Sequence, residues 1–328
     1  MSYGRILTPR IYTDTVRYLL AKGMATSNIS LVAGSLNTGY SILDAFDGRP
    51  GRRCSFNTSS GTTHQIIQID MGLTTYNPIN FCAILNANFA TAETAEPQIR
   101  YHTAAFTGPG EGTQTTGLAY PVGNVDTGVI QADGSFIVTF TEVTDKRYWA
   151  IEIPDDTTWS ATDLEIGLIV LGSYYDLPFA PDLDVGWESA FEGIDRRESV
   201  GGQTYSTPMH LGGPGDTGTS YGQPFRVYGT DYRRRFGARR RWSFDVTRLA
   251  DSHLAPEYAE LGNTVNGSIL SVWERTMGPH LPFVFAPDGA GSNDYGDHAF
   301  ARFDQESLSA RQVAPRAWSY GLTIREEF

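Results

Sequence analysis

Lys146-Arg147-Tyr148-Trp149-Ala150-Ile151-Glu152-Ile153 carries the two-residue period of a β-strand. Trp149, Ile151 and Ile153 fall on one side, and Tyr148, Ala150 and Glu152 on the other. Working outward, the neighbouring apolar runs have strand length and end in turn residues. Ile66 to Gly72 is closed by its glycine, and Ile79 to Leu85 is mostly apolar, as a buried strand is. Ile99 to His102 is short, Asp133-Gly134 signals a turn before Ser135 to Phe140, and Leu164 to Gly172 closes the unit. Gly108 to Gly123 is rich in Gly, Thr and Pro and reads as a long loop. Short strands at this spacing predict a β-sandwich over residues 29–175.

Upstream, Ile11 to Leu20 has a period that leaves strand and short helix both open, and residues 1–28 are expected to form an N-terminal arm or an edge strand. Downstream, residues 176–187 (DLPFAPDLDVGW) read as a linker stiffened by Pro178 and Pro181. A second β unit is expected over 188–328. In it, Gly201 to Gly222 reads as a loop, and Arg240 to Thr247 alternates with Trp242, Phe244 and Val246 inward. Ser268 to Met277 has helical spacing and stops at Gly278-Pro279. Strands are expected at Phe283 to Phe285, Ala299 to Phe303 and Trp318 to Ile324. The fold class is therefore mainly β: two β-sandwich-like domains with one short helix in the C-terminal domain.

Composition agrees. Aromatic residues at 12% and 35 glycines suit short strands and tight turns, and charged residues at only 19% argue against a coiled coil. A formal charge of −12 does not steer the whole chain toward nucleic acid. Lys22 and Lys146 are the only lysines, so the remaining basic residues are arginines. Cys54 and Cys82 are too few for a four-cysteine zinc site and are expected to be reduced and buried. The N-terminus lacks the apolar stretch of a signal peptide, and no run has the length of a membrane helix, so a soluble protein is expected.

Two resemblances emerge. Ser41 to Gly48, Gln68-Ile69-Asp70-Met71-Gly72, Lys146 to Ile153 and Ile166 to Gly172 stand in the order found in discoidin, or galactose-binding-like, domains. The stretch over roughly residues 29–172 resembles that family, with Cys54-Ser55-Phe56 where it usually has a tryptophan. The Trp242 strand, the Trp273 helix, Leu281 to Phe285 and the ending from Arg302 to Glu327 resemble minor or distal tail proteins of tailed bacteriophages. That resemblance implies a structural virion subunit, assembled in the host cytoplasm, forming a ring or collar at the tail tip that joins the tail tube to the receptor-binding apparatus. Its implied partners are copies of itself in a trimer or hexamer ring, the tail tube, the hub and a receptor-binding protein. The alternatives are a carbohydrate-binding adhesion module that binds a host glycan, or a capsid decoration protein.

Few side chains suggest chemistry. Arg233, Arg234, Arg235, Arg239, Arg240 and Arg241 are read first as subunit contacts, then as a solvated face, and last as a phosphate-binding patch. Tyr40, Tyr120 and Trp159 are candidates for stacking on a sugar ring, against the plainer reading as core or contact residues. Asp294, Asp297 and His298 match no metal-loop spacing and read as a polar turn. Gly218-Thr219-Ser220-Tyr221-Gly222 has the letters of a nucleophile elbow without the strand before it or the helix after it. Adjacent carboxylates such as Asp155-Asp156 and Glu326-Glu327 point to opposite faces of a strand. No enzymatic activity, cofactor, metal, specific nucleic acid or membrane insertion is expected.

Overall fold

The structure, a computed structural model, describes residues 8–50, 52–58, 64–72, 78–88, 97–114, 136–144, 146–153, 163–183, 185–190, 194–208, 239–254, 267–289 and 298–327. The first half comprises β1 (Arg10–Asp14), α1 (Thr15–Ala21), β2 (Ile29–Ala33), β3 (Cys54–Ser55), β4 (Gln65–Asp70) and β5 (Ile79–Leu85). It continues with β6 (Gln98–His102), β7 (Thr113–Gln114), β8 (Phe136–Val143), β9 (Tyr148–Ile153), β10 (Glu165–Ile166) and β11 (Leu168–Asp176). The second half comprises β12 (Gly186–Ala190), β13 (Ile194–Glu198), β14 (Thr204–Pro208), β15 (Arg239–Leu249), α2 (Asp251–Leu254) and α3 (Ile269–Arg275). It closes with β16 (Phe283–Ala286), β17 (Ala299–Phe303), β18 (Ala310–Ala314) and β19 (Ala317–Glu326). The chain is mainly β, as its alternation predicts.

A five-stranded sheet, β2-β4-β9-β6-β7, packs on the β11-β5-β8 end of a ten-stranded sheet. Between them lies a core of Ile67, Ile69, Trp149, Ile151 and Ile153 from one side and Cys82, Ile84, Phe136, Val138, Ile169 and Leu171 from the other. The alternation in β9 thus places its residues as the sequence requires, with Ala150 and Tyr148 on the outer face. β5 is buried along its whole length because both of its faces are covered, which explains its unbroken apolar run.

The large sheet does not stop at the end of this sandwich. Its order is β12-β15-β19-β17-β16-β1-β11-β5-β8, with β18 on β19. β1 is therefore an interior strand, paired to β11 on one side and β16 on the other, and not an arm or an edge strand. The physical reason is that both its faces are apolar. Ile11 enters the C-terminal core with Phe283 and Phe285, while Tyr12 packs with Phe81, Ala83 and Val284 on the opposite face. The expected linker is shorter than 176–187, since Asp176 ends β11 and Gly186 opens β12. The expected loop from Gly201 also begins partly as strand, because Thr204–Pro208 pairs with β13.

In the C-terminal half, Trp242, Phe244, Val246 and Ile324 point into a core that Ile269 and Val272 of α3 also enter. Ser268 caps α3 by accepting from the Ser271 amide, and beyond the Thr276 cap the chain turns at Met277 and Gly278, both with positive φ. α2 adds a single turn that the alternation did not predict. The turn after α3 reaches across: Leu281 is buried in the core of the N-terminal sandwich, and Met277 packs against it.

Candidate functional site

One end of the five-stranded sheet carries a buried carboxylate with its partners. Register places Ala33 opposite Ile66, Gln65 opposite Ile153, and Gln98 opposite Glu152, so β2 and β9 end where β4 and β6 begin. Glu152 is buried there. Arg100 Nε lies 2.6 Å from its Oε2, His64 Nδ1 lies 3.2 Å from its Oε1, and the Gly110 amide donates to it at 3.1 Å. Arg100 also donates to Gln98 Oε1 at 2.7 Å. A carboxylate so surrounded holds the Gly110 loop onto the sheet.

In a second network, Asp163 ties three further segments together. Asn37 Nδ2 donates to Asp163 Oδ2 and to Ser55 Oγ, each at 2.9 Å. The Thr58 amide donates to Asp163 Oδ1 at 3.1 Å, and Asn88 Nδ2 donates to the Asp163 carbonyl at 2.9 Å. The Glu165 amide returns a bond to Asn88 Oδ1 at 2.7 Å. Arg53 pairs with Glu165 at 2.6 Å and donates to Asn86 Oδ1 at 3.1 Å. These bonds satisfy polar groups on chain turns that the apolar core cannot reach.

Tyr40 stands on this frame. Its amide donates to the Asn37 carbonyl at 3.2 Å, so the turn that carries it is fixed through Asn37 to Ser55 and Asp163. Ser41 follows as the cap of a short 3-10 turn, Ile42–Phe46, in a capping box with Asp44. Tyr40 is 45% exposed and is the one strongly exposed large apolar side chain of the sandwich among the described residues. The arrangement offers solvent an aromatic side chain on a turn fixed by hydrogen bonds.

The other candidates fall elsewhere. Tyr120, Trp159, Arg233, Arg234 and Arg235 lie outside the described residues, as do Asp155, Asp156, Asp294, Asp297 and Gly218 to Gly222. Arg240 is corrected: it is buried, not a surface contact. It donates to both carboxylate oxygens of Glu326 at 3.1 Å and to the His298 carbonyl at 2.9 Å, and it lies over the Trp242 ring. Alternation sends it inward with Trp242 at the sheet end, where only a carboxylate from β19 makes burial tolerable. Arg239 is half-buried, and Arg241 is engaged within its own chain by Asp304 at 2.9 Å and Glu188 at 3.7 Å. Glu326 and Glu327 do diverge, the second toward Arg302 at 3.3 Å. His298 is buried against the Tyr12 ring, and no cluster of three metal-ligating side chains occurs among the described residues. Both cysteines are free and buried, and burial pushes the Cys54 thiol up to about 12.

Asn37, Arg100 and Asp163 were not legible as site residues, since their partners lie far away in sequence. Glu152 did carry a signal: a carboxylate inside an apolar strand requires a cationic or amide partner.

No family model matches the chain, and no curated protein matches it. Two solved structures are similar in part. One is CBM32-1 from a family 31 glycoside hydrolase of Clostridium perfringens, 15% identical, covering 44% of this chain and 94% of that one, with a TM-score of 0.32. The other is a histidine mutant of the lectin binding domain of Lectinolysin complexed with Lewis b, 17% identical, covering 49% of this chain and 97% of that one, with a TM-score of 0.30.

Proposed function

We propose that this chain is a non-catalytic binding protein that holds a carbohydrate at the Tyr40 end of its N-terminal sandwich. The observation that carries this reading is the exposed Tyr40 ring on a turn fixed by Asn37, Ser55 and Asp163. A turn held in place loses little backbone entropy when a sugar face stacks on the Tyr40 ring. A glycan array probed with the whole chain tests it, followed by titration of a hit. Tyr40→Ala should weaken binding at least about tenfold, or about 1.4 kcal/mol, with an unchanged melting temperature. An array without a hit, or a hit that binds Tyr40→Ala equally well, overturns the reading.

A structural subunit of a tailed-phage virion is the second reading. It rests on the C-terminal resemblance, and an exposed β-ribbon in that half favours a chain built to assemble. The two roles are compatible in one tail-tip protein.

A further inference from the structure

The C-terminal sheet ends in a ribbon whose base, Ala310 and Trp318, packs on the core and whose tip is exposed among the described residues. β18 pairs with β19 alone among the described residues. Arg311, Gln312, Val313, Ala314, Pro315 and Arg316 are all exposed, on both faces of the ribbon. Val313 is 47% exposed at the bulge where the register shifts between Gln312 and Ala314. Arg316 turns the chain with a φ of 59°. The base is fixed, since Trp318 Nε1 donates to Asp251 Oδ1 at 2.6 Å and Tyr320 is buried. The exposed turn from Ala314 to Ala317 thus stands on a fixed base.

Its charge sets it apart from the rest of the molecule. Ser307 to Arg325 contains no aspartate or glutamate and three arginines, in a chain of formal charge −12; without those arginines the charge is −15. Arg311 and Arg316 have no ion pair among the described residues. β15 pairs with β19 as far as Trp318, so only the turn end of the ribbon stands beyond the sheet, and the outer edge of β18 has no partner strand among the described residues. The bulge, the proline and the arginines guard that edge against indiscriminate pairing, and they also restrict it to an acidic partner.

We propose that this ribbon, Ala310 to Trp318, docks on an acidic face of a second copy of the chain. The self-contact is head-to-tail, because two ribbons meeting each other would oppose arginine to arginine, whereas the body of the molecule supplies the carboxylates. Arg311 and Arg316 make the charge contacts, and Val313 supplies the apolar contact at the tip. This inference does not depend on carbohydrate binding.

Light scattering on the full chain across a wide concentration range, at about 0.05 M and about 1 M salt, tests it. The expected result is a mass above the 36.0 kDa of one chain at low salt that falls as salt rises. The double variant Arg311→Glu/Arg316→Glu should remain at one chain's mass with the wild-type melting temperature, and Val313→Asp should weaken assembly likewise. A wild-type chain that stays monomeric at low salt at every concentration overturns the proposal, and so does a double variant that assembles as the wild type does. Monomers that bind only an acidic polymer count as the first of these outcomes.

Discussion

Two buried charges make opposite demands at the level of single residues. Arg240 and Glu326 are both buried and meet through two hydrogen bonds, with the Arg240 amide adding a third to the same carboxylate at 3.0 Å. Removing one partner leaves the other desolvated and uncompensated, which costs about 3–5 kcal/mol. Glu326→Ala should therefore lose that much in urea denaturation, while the double change Arg240→Leu/Glu326→Leu should lose clearly less. Equal losses would mean that packing around the pair, not its charge, is what matters. Asp14 behaves differently. Burial pushes its carboxyl up to about 7, against the opposing pull of the Arg17 guanidinium and the Arg17 and Val16 amides. Its unfolded value is about 3.9, so between those two values the native chain holds a proton that the unfolded chain has released. Stability from this group is complete below about pH 4 and is lost as pH rises through about 7. Asn caps a helix as well as Asp does, so Asp14→Asn keeps the cap on the Arg17 amide and removes the titration. Melting temperatures at pH 5.5 and pH 8.5 should diverge more for wild type than for Asp14→Asn. Parallel behaviour would show that Asp14 does not titrate in this range.

At the level of elements, the contact between β1 and β11 is the least forgiving. Gly172 on β11 faces Asp14 of β1, and a Cβ there would overlap the backbone oxygen of Thr13. The obstacle is main chain inside a sheet, so no side chain can swing away. Gly172→Ala should cost at least about 1–3 kcal/mol, read as a lower urea midpoint with an unchanged slope. A neutral outcome would mean that the two strands separate more easily than their register implies. This contact also marks how far sequence reading reaches. Strands β4, β5, β6, β9, β15, β16, β17 and β19 lie where alternation or apolar runs place them, because period and face are local properties, whereas the expected strand from Leu164 to Gly172 divides into β10 and a β11 that runs on to Asp176. Helix α3 was legible for the same reason. The pairing of β1 was not, since Arg-Ile-Tyr-Thr-Asp has the same pattern whether it lies at an edge or inside, and its partners are residues 172–176 and 284–286. Arg240 shows the converse. Its place in the inward row of β15 was readable, but its burial depended on Glu326, far away in sequence. The candidate site was legible only at Tyr40, because the turn that fixes it is built by Asn37 and Asp163 from distant segments.

At the level of the whole molecule, the two halves have separate apolar cores yet share too much to unfold separately. β1 belongs by sequence to the first half and lies between β11 and β16, so removing it opens both. The second half reciprocates through α3 and the turn after it. Leu281 and Met277 lie on the core of the N-terminal sandwich, and Arg275 donates to Thr15 Oγ1 and Ser173 Oγ, each at 3.1 Å. Burial pulls the Arg275 guanidinium down to about 10, against the opposing pull of Tyr18 and Glu142. Unfolding the C-terminal half alone would expose Ile11 and Tyr12, which pack on Phe285 and Val284, and would leave β1 with one open edge. Unfolding the N-terminal half alone would remove the partner of β1 on the other side and strand Leu281 in water. Each half-open state thus pays for lost contacts on both sides of the junction, and cooperativity follows. Calorimetry should show one transition whose van't Hoff and calorimetric enthalpies agree. Residues 177–328 expressed alone should fail to give a cooperative melt, and adding residues 1–176 in trans should restore it. Two resolved transitions, or an isolated C-terminal half that melts cooperatively, would show that β1 joins the halves without making either depend on the other.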